Sequence, residues 1–180
     1  EHARAEGRPV FLVGGHFGNY DAMRANLVPR GYAIGSLYRR MANPYFSAFY
    51  VNAIAQTGEP LFEQGRQGMM QLVKFLRKGG TLAILNDLHA HGGAELTFFG
   101  KPAVTSLVMA ELSLKYRAEI IPLWAIRQRN GLDFEVRLEA PIPFSDARTM
   151  TQDYNDRLEA QVRAHMDQWF WIHRRWKNAG

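Results

Sequence analysis

The stretch "PVFLVGGHFGNYDAM" (residues 9–23) decides the fold. Its first half is apolar without alternation. A half-buried strand alternates apolar and polar side chains, so an uninterrupted run such as "PVFLVGG" (9–15) predicts a strand covered on both faces. The chain then turns through glycines and resumes as "YDAMRANLV" (20–28), a short helix stopped by Pro29 and Gly31. A second run of the same kind, "TLAILND" (81–87), also ends in polar residues. Two doubly covered strands among alternating strands and helices predict an α/β/α sandwich with a mostly parallel central sheet.

The remaining segments fit that pattern. "YAIGSLYR" (32–39) predicts a strand, and Asn43-Pro44 opens a helix through "YFSAFYVNAIAQ". "GRQGMMQLVKFLRKGG" (65–80) predicts a helix, because Met69, Leu72, Val73 and Leu76 fall on one face and Gly79-Gly80 ends it. "HAHGGAELTFFGKPA" (89–103) reads as a loop, and Thr105 as the cap of a helix through "SLVMAELSLKYRA". Asn130-Gly131 joins strands 120–128 and 132–140 as a hairpin. Tyr154, Leu158, Val162 and Met166, each four apart, mark a last helix that runs into "WFWIHRRWK".

A chain of 180 residues suits a single domain spanning 1–180. With no cysteine, a disulfide framework, a thiolate metal site and a cysteine nucleophile are all excluded. The formal charge of +5 suits anionic partners: phosphate groups, acidic lipid, an acidic carrier protein or nucleic acid. No nucleic-acid-binding motif accompanies that charge.

Parallel sheets bind ligands beyond the carboxyl ends of their strands. His16 follows one such end and Asn86-Asp87 another, so two separate stretches aim polar groups at the same rim. With His16 in the strand-to-helix loop and Asp21 in the first helical turn, the carboxylate can accept a bond from one imidazole nitrogen. That arrangement fixes the tautomer of a general base. The plainer alternative is a histidine packed at a strand end and an aspartate favouring its helix N-terminus.

These residues carry a resemblance. "GHFGNYD", with His16 and Asp21, resembles the His-x4-Asp/Glu motif of glycerolipid-type acyltransferases. The form His-Phe-Gly-Asn-aromatic-acid is similar to that of the lipid A biosynthesis (late, lauroyl-myristoyl-type) acyltransferases. "YRRMANP" (38–44), "LNDLH" (85–89), "FFGKPAVTS" (98–106), "IIPLWAIR" (120–127) and "WFWIHRRWK" agree with that family in order. The resemblance implies a glycerol-3-phosphate-acyltransferase-like fold. It implies O-acyl transfer from an acyl thioester, either acyl carrier protein or acyl-CoA, to a hydroxyl of a membrane glycolipid such as a lipid A precursor. His16 would be the base and Asp21 its orienting acid, with no cofactor and no metal. The place of action would be the cytoplasmic face of the bacterial inner membrane, with the family's membrane anchor upstream of Glu1. The loop "DLHAHGGAE" departs from the family's usual Asp-Gln form.

Further candidates follow from residue chemistry and the resemblance together. Arg39 and Arg40 offer planar forks for phosphate. Asn43 stands in the same motif. Asp87 would hold a basic side chain or an acceptor hydroxyl. Phe99 and Gly100, next to Phe98, would shape an acyl-chain wall, and Lys101 would meet an anionic group. The tryptophans and cations of "WFWIHRRWK" suit a membrane surface, or equally a terminal segment packed on the core. Two other readings stay open. One is a metal-dependent hydrolase using His16, Asp21, Asp87, His89 and His91; the other is a lipid- or carrier-binding module without catalysis.

Overall fold

The computed structural model describes residues 1–177. A six-stranded sheet runs in the order β3-β2-β4-β1-β7-β8. Its strands are β1 (Val10–Gly14), β2 (Ile34–Tyr38), β3 (Leu61–Glu63), β4 (Thr81–Leu85), β7 (Glu119–Arg127) and β8 (Phe134–Leu138). The pairings β1–β4, β1–β7, β2–β3 and β2–β4 are parallel, and β8 alone runs antiparallel, against β7. This is the expected mostly parallel sandwich.

Alternation along β1 explains why it lacks a polar face. Phe11 and Val13 enter one apolar cluster, with Leu72 and Leu76 of α4 (Arg66–Leu76), Met109 and Ala110 of α5 (Val108–Tyr116), and Leu158 and Val162 of α6 (Ala147–Ala164). Val10 and Leu12 enter the other, with Ala3 of α1 (His2–Ala5) and Met23 of α2 (Ala22–Leu27). Successive side chains of a strand point to opposite faces, so a strand between two helical layers must be apolar at every position. The remaining helix, α3 (Pro44–Gln56), follows β2.

From β1 the chain crosses beyond β4 to β2; from β4 it crosses beyond β1 to β7. The connections therefore diverge between β1 and β4. In open α/β sheets the crevice at such a reversal is where ligands bind.

Three sequence expectations change. Most of the segment 89–103, expected as loop, lies instead in an antiparallel hairpin of β5 (Ala94–Phe98) and β6 (Lys101–Thr105). Its two turn residues, Phe99 and Gly100, have φ of 53° and 68°, the mirror-image turn that matches strand twist. Thr105 ends β6 rather than capping α5; its hydroxyl donates to the Ala103 carbonyl. Helix α6 stops at Ala164, so Met166 falls beyond its apolar stripe and is 56% exposed.

Beyond α6 the chain becomes an irregular strap, residues 165–177, laid across the carboxyl edge of the sheet. Phe17 bridges to Trp169, the Phe170 N–H donates to the His16 carbonyl (2.9 Å), and the Gly18 N–H donates to the Gln168 carbonyl (2.7 Å). Arg175 is buried, donating to the Val104 carbonyl (2.7 Å) and the Thr105 hydroxyl (2.5 Å). Trp176 donates to the Phe98 carbonyl. The cationic run of the strap is thus not a uniform surface patch: Arg175 is committed to the core, and Arg174 and Lys177 remain exposed.

Candidate active site

His16 leaves the end of β1 and Asp87 the end of β4, the two strands that flank the reversal point. The His16 Nδ1 lies 2.8 Å from Asp87 Oδ1. Asp87 Oδ2 accepts the His16 backbone N–H at 2.8 Å and the Trp169 indole N–H at 3.0 Å. Asp87 is 1% exposed, whereas about a quarter of the His16 side chain, 26%, reaches solvent. Three donors thus converge on one buried carboxylate, and the ring stays open on its far side.

This network assigns the tautomer. A carboxylate only accepts, so Nδ1 carries the proton toward Asp87, and Nε2 is left with a lone pair. Hydrogen bonds to a charged group are roughly twice as strong as neutral ones; one of them holds the imidazole, and the other two fix the carboxylate it bonds to.

Glycine makes the close approach possible. A Cβ on Gly15 would stand 3.0 Å from Leu158 Cδ1 and 3.1 Å from Asp87 Oδ2. At Gly18, with φ of 57°, a Cβ would run into the Ala125 carbonyl. The Tyr154 hydroxyl of α6 donates to the Gly14 carbonyl (2.6 Å) and pins the end of β1 from below. Burial above all pushes that hydroxyl well above its ordinary pKa. A hollow of about 10 Å³ lined by Gly15, Phe17, Tyr20, Met23, Leu85 and Trp124 has room for roughly one water.

Asp21 does not take the place expected for it. The imidazole bond goes to Asp87. Asp21 instead precedes α2, with its backbone N–H donating to Asn19 Oδ1. Burial raises its pKa, and the Arg24 charge opposes that rise. Arg24 is itself buried and donates to the Ile54 and Gly58 carbonyls, tying α2 to the end of α3. The physical reason is topology. Asp87 sits one parallel strand away from His16, at adjacent strand ends, while the turn between His16 and Asp21 directs Asp21 toward α2.

The other candidates divide. Arg39 and Arg40 follow the end of β2, one strand beyond Asp87 on the same rim, and both are exposed. Arg40 also lies 3.4 Å from Glu63. The Asn43 side chain is spent on capping α3, accepting from the Tyr45 and Phe46 N–H groups. Phe99 and Gly100 form the hairpin turn. The Phe99 N–H donates to Glu159, and its ring lies 4.6 Å under the Arg163 guanidinium and 6.0 Å from Trp171. Lys101 is exposed at the start of β6. The metal-ligand set does not assemble. Among the described residues no three His, Asp or Glu side chains are placed to hold a metal. The rings of His89 and His91 lie 5.2 Å apart, and the His89 N–H donates to His173 Nε2 at 2.8 Å.

Trp169 is the residue that sequence reasoning missed. Its indole N–H is addressed to Asp87 across 82 residues, and no local spacing announces that contact.

Fold and site together define an α/β protein of parallel-sheet type, with a carboxylate-held histidine at the strand reversal. The sequence matches the bacterial lipid A biosynthesis acyltransferases over residues 1–178, and the chain belongs to that family. It is similar to a lipid A biosynthesis acyltransferase of Haemophilus influenzae, 23% identical over 176 residues, which cover 93% of this chain and 55% of that relative. The chain therefore spans about half the length of the curated relative it matches.

Proposed function

We propose that this chain is the catalytic part of an acyltransferase that moves a fatty acyl group from an acyl thioester to a hydroxyl of a lipid A-type glycolipid, with His16 as general base and Asp87 as its orienting carboxylate. The observation that carries this reading is the triply donated Asp87, which leaves Nε2 of His16 as a free acceptor at the reversal point. Family membership supports the reaction class and the glycolipid acceptor.

In this reaction His16 Nε2 takes the proton of the acceptor hydroxyl as its oxygen attacks the thioester carbonyl. Asp87 stabilises the imidazolium that forms. Collapse of the tetrahedral intermediate breaks the C–S bond, and the thiolate leaves with the proton held on His16. The products are an ester and a free thiol, so no acyl-enzyme is required. The exposed Arg39 suits a phosphate of donor or acceptor. Acyl carrier protein and acyl-CoA both carry such anionic groups, and the basic chain suits either. Asp21, the acid of the His-x4-Asp motif, stands before α2, where its charge faces that of Arg24.

The test is thiol release from an acyl-carrier-protein or acyl-CoA donor, with and without a lipid A precursor. The chain has no cysteine, so a thiol reagent reads the product without protein background. Release that depends on the acceptor and disappears in His16→Ala is the expected result. Acceptor-dependent release that survives in His16→Ala refutes the mechanism.

A further inference from the structure

Helix α3 presents an unusual surface. Its thirteen residues, "PYFSAFYVNAIAQ", include no charged side chain, yet Tyr45, Phe46 and Phe49 are 87%, 52% and 69% exposed. Exposed helix faces are ordinarily charged, and a helix apolar on its outer face calls for a cover. A second apolar group stands on the strap, where Phe170, Trp171 and Ile172 are 45%, 44% and 84% exposed.

Both groups converge on His16. On one side the His16 ring lies 5.6 Å from that of Tyr20. Burial, the adjoining Tyr50 and the nearby Asp21 and Asp87 carboxylates push the Tyr20 hydroxyl up to about 12. Tyr50 of α3 stacks on Phe46 at 6.4 Å, and Phe46 lies 6.4 Å from Phe49. On the other side the His16 ring lies 6.1 Å from Phe170. Tyr20, through its hydroxyl beside Tyr50, thus joins the proposed base to the rings of α3, and Phe170 joins it to the strap.

We propose that these two aromatic lips, α3 and residues 170–172, dock on an anionic lipid leaflet and hold His16 at its surface. Charge selects that occupant. Arg39 and Arg40 stand exposed before α3, Arg174 and Lys177 stand exposed after the strap lip, and α3 contributes no carboxylate to oppose them. Aromatic rings beside cations match the interface between acyl chains and anionic headgroups. Among the described residues no helix is long and apolar enough to cross a membrane, so this contact is with the surface. Docked in this way, a hydroxyl in the headgroup layer meets Nε2 without its lipid leaving the bilayer.

The experiment is co-sedimentation of this chain with vesicles of phosphatidylcholine alone and of phosphatidylcholine with about one-third phosphatidylglycerol, at low and high salt. It needs no acyl transfer, so it stands or falls separately from the reaction proposed above, and His16→Ala should bind as the parent does. The expected result is binding to anionic vesicles that weakens with salt. Phe46→Ser with Phe49→Ser should weaken it about tenfold, and Ile172→Ser several-fold, with unchanged melting curves. Absence of binding by the parent chain, or equal binding by the Phe46→Ser, Phe49→Ser variant, overturns the proposal. So does a self-associated form that the same double variant dissolves without any vesicle binding, since the cover would then be a second copy. Loss of binding to a soluble acidic carrier protein, with vesicle binding intact, overturns it in favour of a donor-docking face.

Discussion

Asparagine at position 87 separates the role of the carboxylate from that of the fold. An Asp87→Asn side chain can place its amide oxygen where Oδ2 now accepts the His16 N–H and the Trp169 indole N–H. Its NH₂ then faces His16 Nδ1, across the 2.8 Å now occupied by the Nδ1–Oδ1 bond. Two donors cannot share that contact, so Nδ1 must become the acceptor and the ring proton moves to Nε2. Two of the three donors stay satisfied. Stability should therefore fall by no more than about 1–3 kcal/mol, the range for a disturbed buried hydrogen bond. The base, however, is in the wrong tautomer. Loss of an orienting carboxylate in a serine protease costs about 10⁴ in turnover, equivalent to about 5.5 kcal/mol of barrier. The same scale is expected here. The assay is acceptor-dependent thiol release, paired with long-range proton–nitrogen NMR of the His16 ring, which should show the proton shifted to Nε2. Activity of Asp87→Asn within tenfold of the parent chain would falsify the assignment. So would loss of activity in Asp21→Asn alongside its retention in Asp87→Asn.

Three further outcomes follow from the same geometry. Trp169→Phe removes one donor from Asp87 and leaves a gap beside Phe98, Trp171 and Trp176, whose rings lie 5.4, 4.7 and 6.2 Å away; urea denaturation should show a loss of about 1–3 kcal/mol, with thiol release lowered but the His16 tautomer kept. Asp21 has its pKa raised by burial, so its contribution to stability is full at low pH and is lost as pH rises through its folded-state value; Asp21→Asn should therefore melt higher than the parent at pH 7, with the difference closing toward about pH 3, and an unchanged difference across that range would refute the burial argument. His173 has its pKa lowered, by burial first and then by Lys177, Arg175 and His16 against the pull of Asp87. The stability it contributes is present above the ordinary imidazole value of about 6.5 and lost as pH falls through the lower folded value. Protonated Nε2 can no longer accept the His89 N–H, so hydrogen exchange in residues 166–177 should rise on acidification, and less so in His173→Gln.

The doubly apolar runs 9–15 and 81–87 specified buried parallel strands, because only a strand covered on both faces is apolar at every position. Their polar ends place His16 and Asp87 on one rim. The Asn130-Gly131 turn and the stop at Gly79 were likewise legible, since backbone conformations there depend on local residue type. The hairpin of residues 94–105 was hidden. Its turn is Phe99-Gly100, and the first of those residues is not one that advertises a positive φ. What only the tertiary structure decided is which carboxylate bonds the His16 ring. Asp21 is five residues away and Asp87 is 71, and sequence proximity favoured the former. Adjacency of β1 and β4 brings the latter to 2.8 Å, and the strap adds Trp169 from a point still further along the chain. Local sequence governs φ, ψ and periodicity. Which polar groups meet in a crevice is set by strand order and chain crossing, which depend on the packing of all the layers at once.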